Sequence, residues 1–396
     1  MKALVLGYGR SGKAAAALLR ELGAEAVVLA DDARDGLGDG DFDFAVVSPG
    51  IALTHPWIVE AKRRGIPLKS ELQFGCEELK RKGWKLLAVT GSKGKSSVVK
   101  VVADAINLAG MKAVACGNYG VPVCEVAQSN NRTIEQSNNS PWAVVEVSSL
   151  MMETTELPPD AFEAAAILNL QEDHLDRHGS VEVYHGLKRK LLGMAKKRFG
   201  PAAALPVDRP LWAGSYFDNE ILAENAATAV ELMRAAGVDD GKIAAAFGAF
   251  IPLPHRMNLV AEIGGVRYVD DSKATSLAAL VAGVKMAVPK KGIRLIAGGL
   301  PKGDDPKNVL ATLTSRVKKV YLIGHCAEVF SAVWSEAVDC EICGTMEKAV
   351  EHAMREAEKG ETVLLSPGTA SFDQFQSYGE RGEVFARLVK KEGQQR

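Results

Sequence analysis

Between Lys85 and Leu108 the chain reads KLLAVTGSKGKSSVVKVVADAINL. The apolar run from Leu86 to Val89 predicts a buried strand, and the segment from Thr90 predicts a tight turn. From Val98 onward Ala, Val and Leu recur at helical spacing. A strand, a glycine-rich loop and a helix in that order make a cradle for phosphate. Gly91 and Gly94 let the backbone come close to a polyphosphate, and the helix amino terminus adds roughly half a positive charge. Lys95 supplies a point charge for the terminal phosphates and Ser96 a hydroxyl for the accompanying magnesium. The loop is shorter than the G-x-x-x-x-G-K-[ST] pattern, whose first glycine would fall on Val89.

A chain of 396 residues has room for two to four domains at about 150 residues each. Its formal net charge is -1, with no long basic block, which argues against nucleic acid or a membrane surface as partner. No apolar stretch reaches the ~18 residues that span a bilayer. The first residues run into a strand without a cleavable leader, so a cytoplasmic protein is expected. The six cysteines are scattered, in keeping with a reducing compartment. Cys340 and Cys343 form a C-x-x-C pair, but with no second pair or nearby histidine they read as ordinary thiols.

Residues 1–84 open with a strand, the run GYGRSG (Gly7 to Gly12), an Ala/Leu-rich helix, and a strand ending at Asp31 and Asp32. This is a full G-x-G-x-x-G pattern with an acidic residue about 20 positions on, so a dinucleotide enzyme has to be weighed. Length decides against it, since the phosphate loop at Thr90 leaves space for little more than one mononucleotide half. Arg10 and Ser11 are expected near phosphates, and Asp31 or Asp32 near a ribose or base. A strand over 44–47 leads to Ser48, Pro49 and Gly50, either a plain turn or part of a ligand edge. The charged stretch 74–85 predicts a helix and linker.

The central segment, 85–252, carries a strand over 112–116, a turn at Gly117, Asn118 and Gly120, and a polar loop over 128–140. Glu146 ends a buried β-branched run, where a carboxylate is costly unless bound to metal or paired; beside a phosphate loop, magnesium is favoured. A strand over 164–168 delivers Asn169, Asp173, His174, Asp176 and His178 at its end. His174 reads either as a site residue or as a satisfied loop histidine. The helix from Val183 carries Lys188, Arg189 and Lys190, by default a solvated basic face. A helix over 219–236 bears Asn225, and Pro252 with Pro254 predicts a hinge ahead of His255 and Arg256. In 253–396 four expected strands end in small or polar residues, as a parallel sheet with one ligand edge requires.

The loop from Thr90 to Ser97, Glu146 with Ser148 and Ser149, the Asn169 to Arg177 segment, LPHR at Leu253 to Arg256, DSKAT at Asp271 to Thr275 and SPGTASFDQF at Ser366 to Phe375 together resemble the Mur ligase family. The likeness covers essentially the whole chain, and the DSKAT run is most similar to the branch that adds D-glutamate. Two positions depart: no acidic residue precedes Lys302, and Tyr378 stands where some members have Phe. The resemblance implies an α/β chain of three domains: an N-terminal Rossmann-like domain (1–84), a central P-loop ATPase with a mostly parallel sheet (85–252), and a C-terminal Rossmann-like domain (253–396). It also implies ATP-dependent amide formation through an acyl phosphate, joining D-glutamate to the alanine of a UDP-sugar in peptidoglycan precursor synthesis.

Carried over residue by residue, Gly91, Ser92, Lys93, Gly94, Lys95, Ser96, Ser97, Asn225, Arg256 and Asp271 would contact ATP. Arg10, Ser11, Asp31, Asp32, Ser48, Gly50 and Asn118 would take the UDP-sugar, and Lys273, Thr275, Lys302, Ser371 and Tyr378 the D-glutamate. Two magnesium sites are implied, one at Ser96 and Glu146, the other at Glu146, His174 and Lys188. The lysine is expected to be carbamylated by carbon dioxide, which replaces the solvated reading of Lys188. The expected partners are these small molecules alone, and the expected state is a monomer. A sister ligase or folylpolyglutamate synthase shares the short loop but not the DSKAT run. A nicotinamide oxidoreductase leaves the phosphate loop unexplained, and a non-catalytic nucleotide-binding regulator would need Glu146, His174 and Lys188 only as scaffold.

Overall fold

The computed structural model describes residues 1–30, 36–128, 140–200, 209–219, 221–289 and 291–394. They divide into two compact units, Met1–Asp218 with Leu222–Phe250, and Asn219–Ile221 with Ile251–Arg396.

The first unit contains two parallel sheets. One is built from β1 (Lys2–Leu6), β2 (Glu25–Leu29), β3 (Phe44–Val47) and β4 (Leu68–Ser70) in the order β2-β1-β3-β4. The period-two alternation of β1 explains its burial on both faces: Ala3 and Val5 enter one apolar cluster, Leu4 and Leu6 another. Helices α1 (Arg10–Glu21), α2 (Pro56–Arg63) and α3 (Glu71–Arg81) belong to this part. Four strands are one mononucleotide-type half plus one, as the spacing to Thr90 required.

The second sheet of this unit has the order β6-β7-β5-β8-β9, every pair parallel. Its elements are β5 (Lys85–Thr90), α4 (Lys95–Leu108), β6 (Ala113–Gly117), α5 (Val123–Val126), β7 (Trp142–Glu146), α6 (Ser149–Met152), β8 (Phe162–Ile167), α7 (Leu175–His178), α8 (Val181–Leu192), β9 (Ala195–Phe199), α9 (Ala223–Ala235) and α10 (Asp240–Gly248). Because β5 lies between β7 and β8, the loop after β5 opens at the switch point of the sheet, where open α/β sheets bind ligands. The register pairs Val89 with Glu146 and Thr90 with Ile167, so the ends of β7 and β8 flank the loop on either side.

The second unit has the order β10-β11-β15-β12-β13-β14. It runs β10 (Asn258–Ile263), β11 (Val266–Asp270), α11 (Leu277–Met286), β12 (Ile293–Gly298), α12 (Leu310–Arg316), β13 (Val317–Ile323), α13 (Ala327–Trp334), β14 (Asp339–Gly344), α14 (Met346–Glu356), β15 (Thr362–Leu365) and α15 (Tyr378–Gly393). Alternation again separates two cores, Leu295 and Leu322 facing one and Ile296 and Tyr321 the other. The expected parallel sheet is corrected at its edge, where β10 pairs antiparallel with β11 through the turn at Gly264 and Gly265. The helix expected over 219–236 begins only at Ala223, which puts Asn225 in its first turn. Among the described residues no helix is long and apolar enough to cross a membrane.

Candidate active site

The phosphate loop is held from below by the end of β8. Asn169 accepts from the Lys93 N–H through Oδ1 and donates to the Lys93 carbonyl through Nδ2, both at 2.9 Å. Ser92 Oγ donates to the Gln171 carbonyl and accepts from the Gln171 N–H, each at 2.9 Å, with the Tyr184 hydroxyl 3.2 Å away. Gly94, at φ +83°, caps α4; a Cβ there would stand 2.0 Å from Asn225 Nδ2, so glycine is required on steric grounds as well as conformational ones. Ser96 and Ser97 lie in the first turn of that helix.

Behind the loop sits a group of charged side chains. Lys95 Nζ donates to the carbonyls of Gly91 (2.8 Å) and Ser92 (3.2 Å). Lys188 Nζ donates to the same Gly91 carbonyl at 2.9 Å and lies 4.5 Å over the Tyr184 ring. The solvated-face reading of Lys188 is therefore wrong. Only 1% of the residue is exposed, because Tyr184, Lys188 and Leu191 form the buried stripe of α8. Arg189 is exposed and Lys190 pairs with Glu156, as a surface face should. Burial brings the Lys188 ammonium down to about 7, aided by the Lys95 charge and opposed by Asp173 and Glu146.

Glu146, 2% exposed, accepts from Asn118 Nδ2 at 2.7 Å through Oε1, whereas its Oε2 is buried without a hydrogen-bond partner. Among the described residues no ion pair reaches it, so the structural-pair alternative falls away. An orphaned carboxylate oxygen next to a phosphate loop suits a hard divalent cation. His174, at φ +52°, caps the one-turn helix α7 and is half exposed; its ring lies 6.2 Å from that of Tyr184. Lys95 and Lys188 thus meet at the Gly91 carbonyl, the Glu146 charge acts on Lys188, and His174 and Lys188 each lie against the Tyr184 ring.

At the first sheet, Ser48 Oγ donates to the Gly7 carbonyl at 3.1 Å, and Arg10 Nη2 reaches the Gly120 carbonyl at 2.9 Å. Ser11 lies half-buried in the first turn of α1 and Gly50 is exposed in the turn after β3. Asp31 and Asp32 lie outside the described residues. In the second unit Asp271 is buried, accepts from Ser366 Oγ at 2.8 Å, and is pushed up to about 7 by burial, with Arg256 opposing. Lys273 Nζ lies 3.8 Å over the Tyr378 ring, Ser371 is buried, Thr275 half-buried and Lys302 exposed just beyond the Leu300–Ala370 bridge.

The pattern of the Mur ligase middle domain matches residues 89–225, and that of the Mur ligase, glutamate ligase domain matches 255–368. A protein of Acidobacterium capsulatum named UDP-N-acetylmuramoylalanine--D-glutamate ligase is 34% identical, over 98% of this chain and 96% of its own. One of the same name from Chlamydia abortus is 32% identical over 98% and 97%. The chain belongs to the Mur ligase family. In fold it is similar to UDP-N-acetylmuramate-alanine ligase from Thermotoga maritima, with a TM-score of 0.58 at 14% identity, covering 99% of this chain and 100% of that one.

Three parts of this Mur ligase were not foreseen. Glu153 accepts from Arg177 twice (3.0 and 2.7 Å) and lies 3.3 Å from His178 Nδ1, while His178 Nε2 meets Ser149 Oγ at 3.0 Å. Arg381, fully buried, donates to Ser272, Thr369 and Ala370. Its place four residues before buried Phe385 and eight before Val389 was the available signal. His255 pairs with Asp270 at 2.7 Å, a contact between segments 15 residues apart that spacing alone does not suggest.

Proposed function

We propose that this Mur ligase joins D-glutamate to UDP-N-acetylmuramoyl-L-alanine at the expense of ATP, within domains 1–84, 85–252 and 253–396, acting as a cytoplasmic monomer. The names of its relatives support the substrates. The observation that carries the chemistry is the convergence of Lys95 and Lys188 on the Gly91 carbonyl of a phosphate loop, with a buried Glu146 whose charge acts on Lys188 and whose Oε2 has no hydrogen-bond partner.

In the proposed reaction a carboxylate oxygen of the alanine attacks the γ-phosphorus, the bond to the β-γ bridging oxygen breaks, and ADP leaves. The amine of D-glutamate then adds to the carbonyl of the acyl phosphate. The tetrahedral intermediate expels phosphate and the nitrogen gives up a proton, leaving the amide. Backbone N–H groups at the start of α4 and the Lys95 ammonium would bind the phosphates and offset charge as it shifts to the leaving oxygen. Asn225, Arg256 and Asp271 would orient the nucleotide. Arg10, Ser11, Ser48, Gly50 and Asn118, with Asp31 and Asp32, would hold the UDP-sugar, and Lys273, Thr275, Lys302, Ser371 and Tyr378 the D-glutamate.

The donor set fits magnesium, which Ser96 and Glu146 would hold in one site and Glu146, His174 and Lys188 in a second. The ion would supply Lewis-acid neutralisation of the phosphoryl oxygens. Lys188 serves as a ligand once its amine lone pair attacks carbon dioxide, forming an N–C bond and releasing one proton to give an anionic carbamate. Its lowered basicity supplies the free amine this needs.

The test is an omission assay. Phosphate release from ATP is expected only with both UDP-N-acetylmuramoyl-L-alanine and D-glutamate present. Release with L-glutamate or glycine in place of D-glutamate would overturn the substrate assignment.

A further inference from the structure

On the outer strand of the second unit, Glu341 and Cys343 stand two residues apart on β14 and so share one face. His352, in the second turn of α14, meets them there. One donor atom from each of the three lies within 4.8 Å of the other two. Cys343 is 6% exposed, and its thiol makes no hydrogen bond among the described residues. His352 Nδ1 is already bonded to Glu341 Oε1, and Lys319 Nζ holds the other oxygen, Oε2, at 2.8 Å.

We propose that Glu341, Cys343 and His352 form a site for a divalent ion of the zinc type. One thiolate sulfur, one imidazole nitrogen and one carboxylate oxygen suit zinc, whereas magnesium asks for oxygen ligands in octahedral array. Lys319 on the far carboxylate oxygen acts as the outer partner that orients a ligating carboxylate. Its own charge is balanced by Glu356 at 3.0 Å. Glu341 and His352 remain partly open to solvent, which leaves a fourth position for water. Cys340 takes no part: it faces the opposite core and bonds to the Val338 carbonyl, so the C-x-x-C spacing is incidental. The fold does bring a histidine beside Cys343, which the sequence reading of two ordinary thiols had not expected, and the proposal departs from that reading for Cys343 alone. Burial pushes that thiol up to about 11, so capture of the ion must release its proton, and affinity rises with pH.

The test uses the full-length, reduced protein stripped with a chelator and titrated with Co2+, then Zn2+. A thiolate-to-cobalt charge-transfer band should grow to one equivalent, resist excess Mg2+ and be erased by Zn2+. The band should be lost in Cys343→Ser and kept in Cys340→Ser. His352→Gln and Glu341→Gln, both at partly exposed positions, should weaken Zn2+ binding by at least about tenfold. No band in the parent, a band that survives Cys343→Ser, or parent-like Zn2+ affinity in His352→Gln would overturn the site. None of these outcomes bears on the ligase reading.

Discussion

Lys95 and Lys188 send their ammonium groups to one acceptor, the Gly91 carbonyl, at 2.8 and 2.9 Å. Two like charges on a single neutral oxygen, with Lys188 buried, favour the neutral amine of the less exposed partner. The lysine expected to carry a carbamate is thus the one whose surroundings supply a free amine near neutral pH. Lys188→Ala should lower turnover by about a hundredfold or more, with partial recovery in a short carboxylic acid. With labelled carbon dioxide, the parent should show a carbamate carbon resonance that the variant lacks. The resonance should fade as pH drops through about 7, where the ammonium form takes over. Equal turnover of parent and variant would remove the carbamate from the chemistry.

Arg177 Nη2 donates at 2.7 Å both to the Ile51 carbonyl and to Glu153 Oε2. One guanidinium therefore ties the turn bearing Ser48 and Gly50 to α7, the short helix that His174 caps, and to Glu153. A lysine keeps the charge and loses the fork. In Arg177→Lys the apparent KM for the UDP-sugar and the Mg2+ requirement should rise together, each by about three- to tenfold. Combined with Ser48→Ala, the two changes should be non-additive by at least about 0.5 kcal/mol. Strict additivity would mean that the turn and the helix act independently.

The sequence made the phosphate loop and the strands β3, β5, β7, β12 and β15 legible, because continuous apolar runs ending in small residues have few other uses. It was poor at the edges. The run AKKRF of β9 buries only its ends, and β10 is half exposed, so neither shows a buried strand's pattern. Lys188 was misplaced by residue type, although Tyr184 and Leu191 mark its stripe at i−4 and i+3. Glu146 stood out because an acid at the end of an apolar strand has no cheap structural use. Glu153 with Arg177, and Cys343 with His352, escaped notice because each pairing is created by the turn or helix between its members.

Glu71 gives the fold a pH dependence of its own. Its Oε1 accepts from the Cys124 N–H at 2.6 Å, its Oε2 is buried without a partner, and burial pushes the carboxyl from 4.5 up to about 7. A folded value above the unfolded one means that the contribution is fully present below about 4.5 and lost as pH rises through about 7. Glu71→Gln cannot titrate. Its unfolding free energy should stay close to the parent's near pH 5 and exceed it near pH 8 by about 2–3 kcal/mol, read as a higher melting temperature there. Asp271 titrates in the same window in both proteins and cancels from the difference. A gap between variant and parent that does not change with pH would exclude Glu71 as its source.

Arg381 organises the loops from which the expected D-glutamate contacts project. Its Nε donates to Ser272 Oγ at 3.0 Å, its Nη2 to the Ser272 carbonyl at 2.9 Å and the Thr369 carbonyl at 3.2 Å, and its Nη1 to the Ala370 carbonyl at 3.3 Å. Ser272 Oγ in turn donates to the Tyr378 carbonyl at 2.8 Å. Lys273, Thr275, Ser371 and Tyr378 are all within a few residues of these anchors. Burial lowers the guanidinium to about 10, with Asp373 and Asp270 opposing, so the charge persists at neutral pH. A lysine has one nitrogen where the loops need a planar fork of three. Arg381→Lys should therefore raise KM for D-glutamate by about tenfold or more while KM for the UDP-sugar, whose expected contacts lie in the other unit, stays within about twofold. If both KM values rise by the same factor, the loss is one of general stability and Arg381 does not position the amino-acid loops.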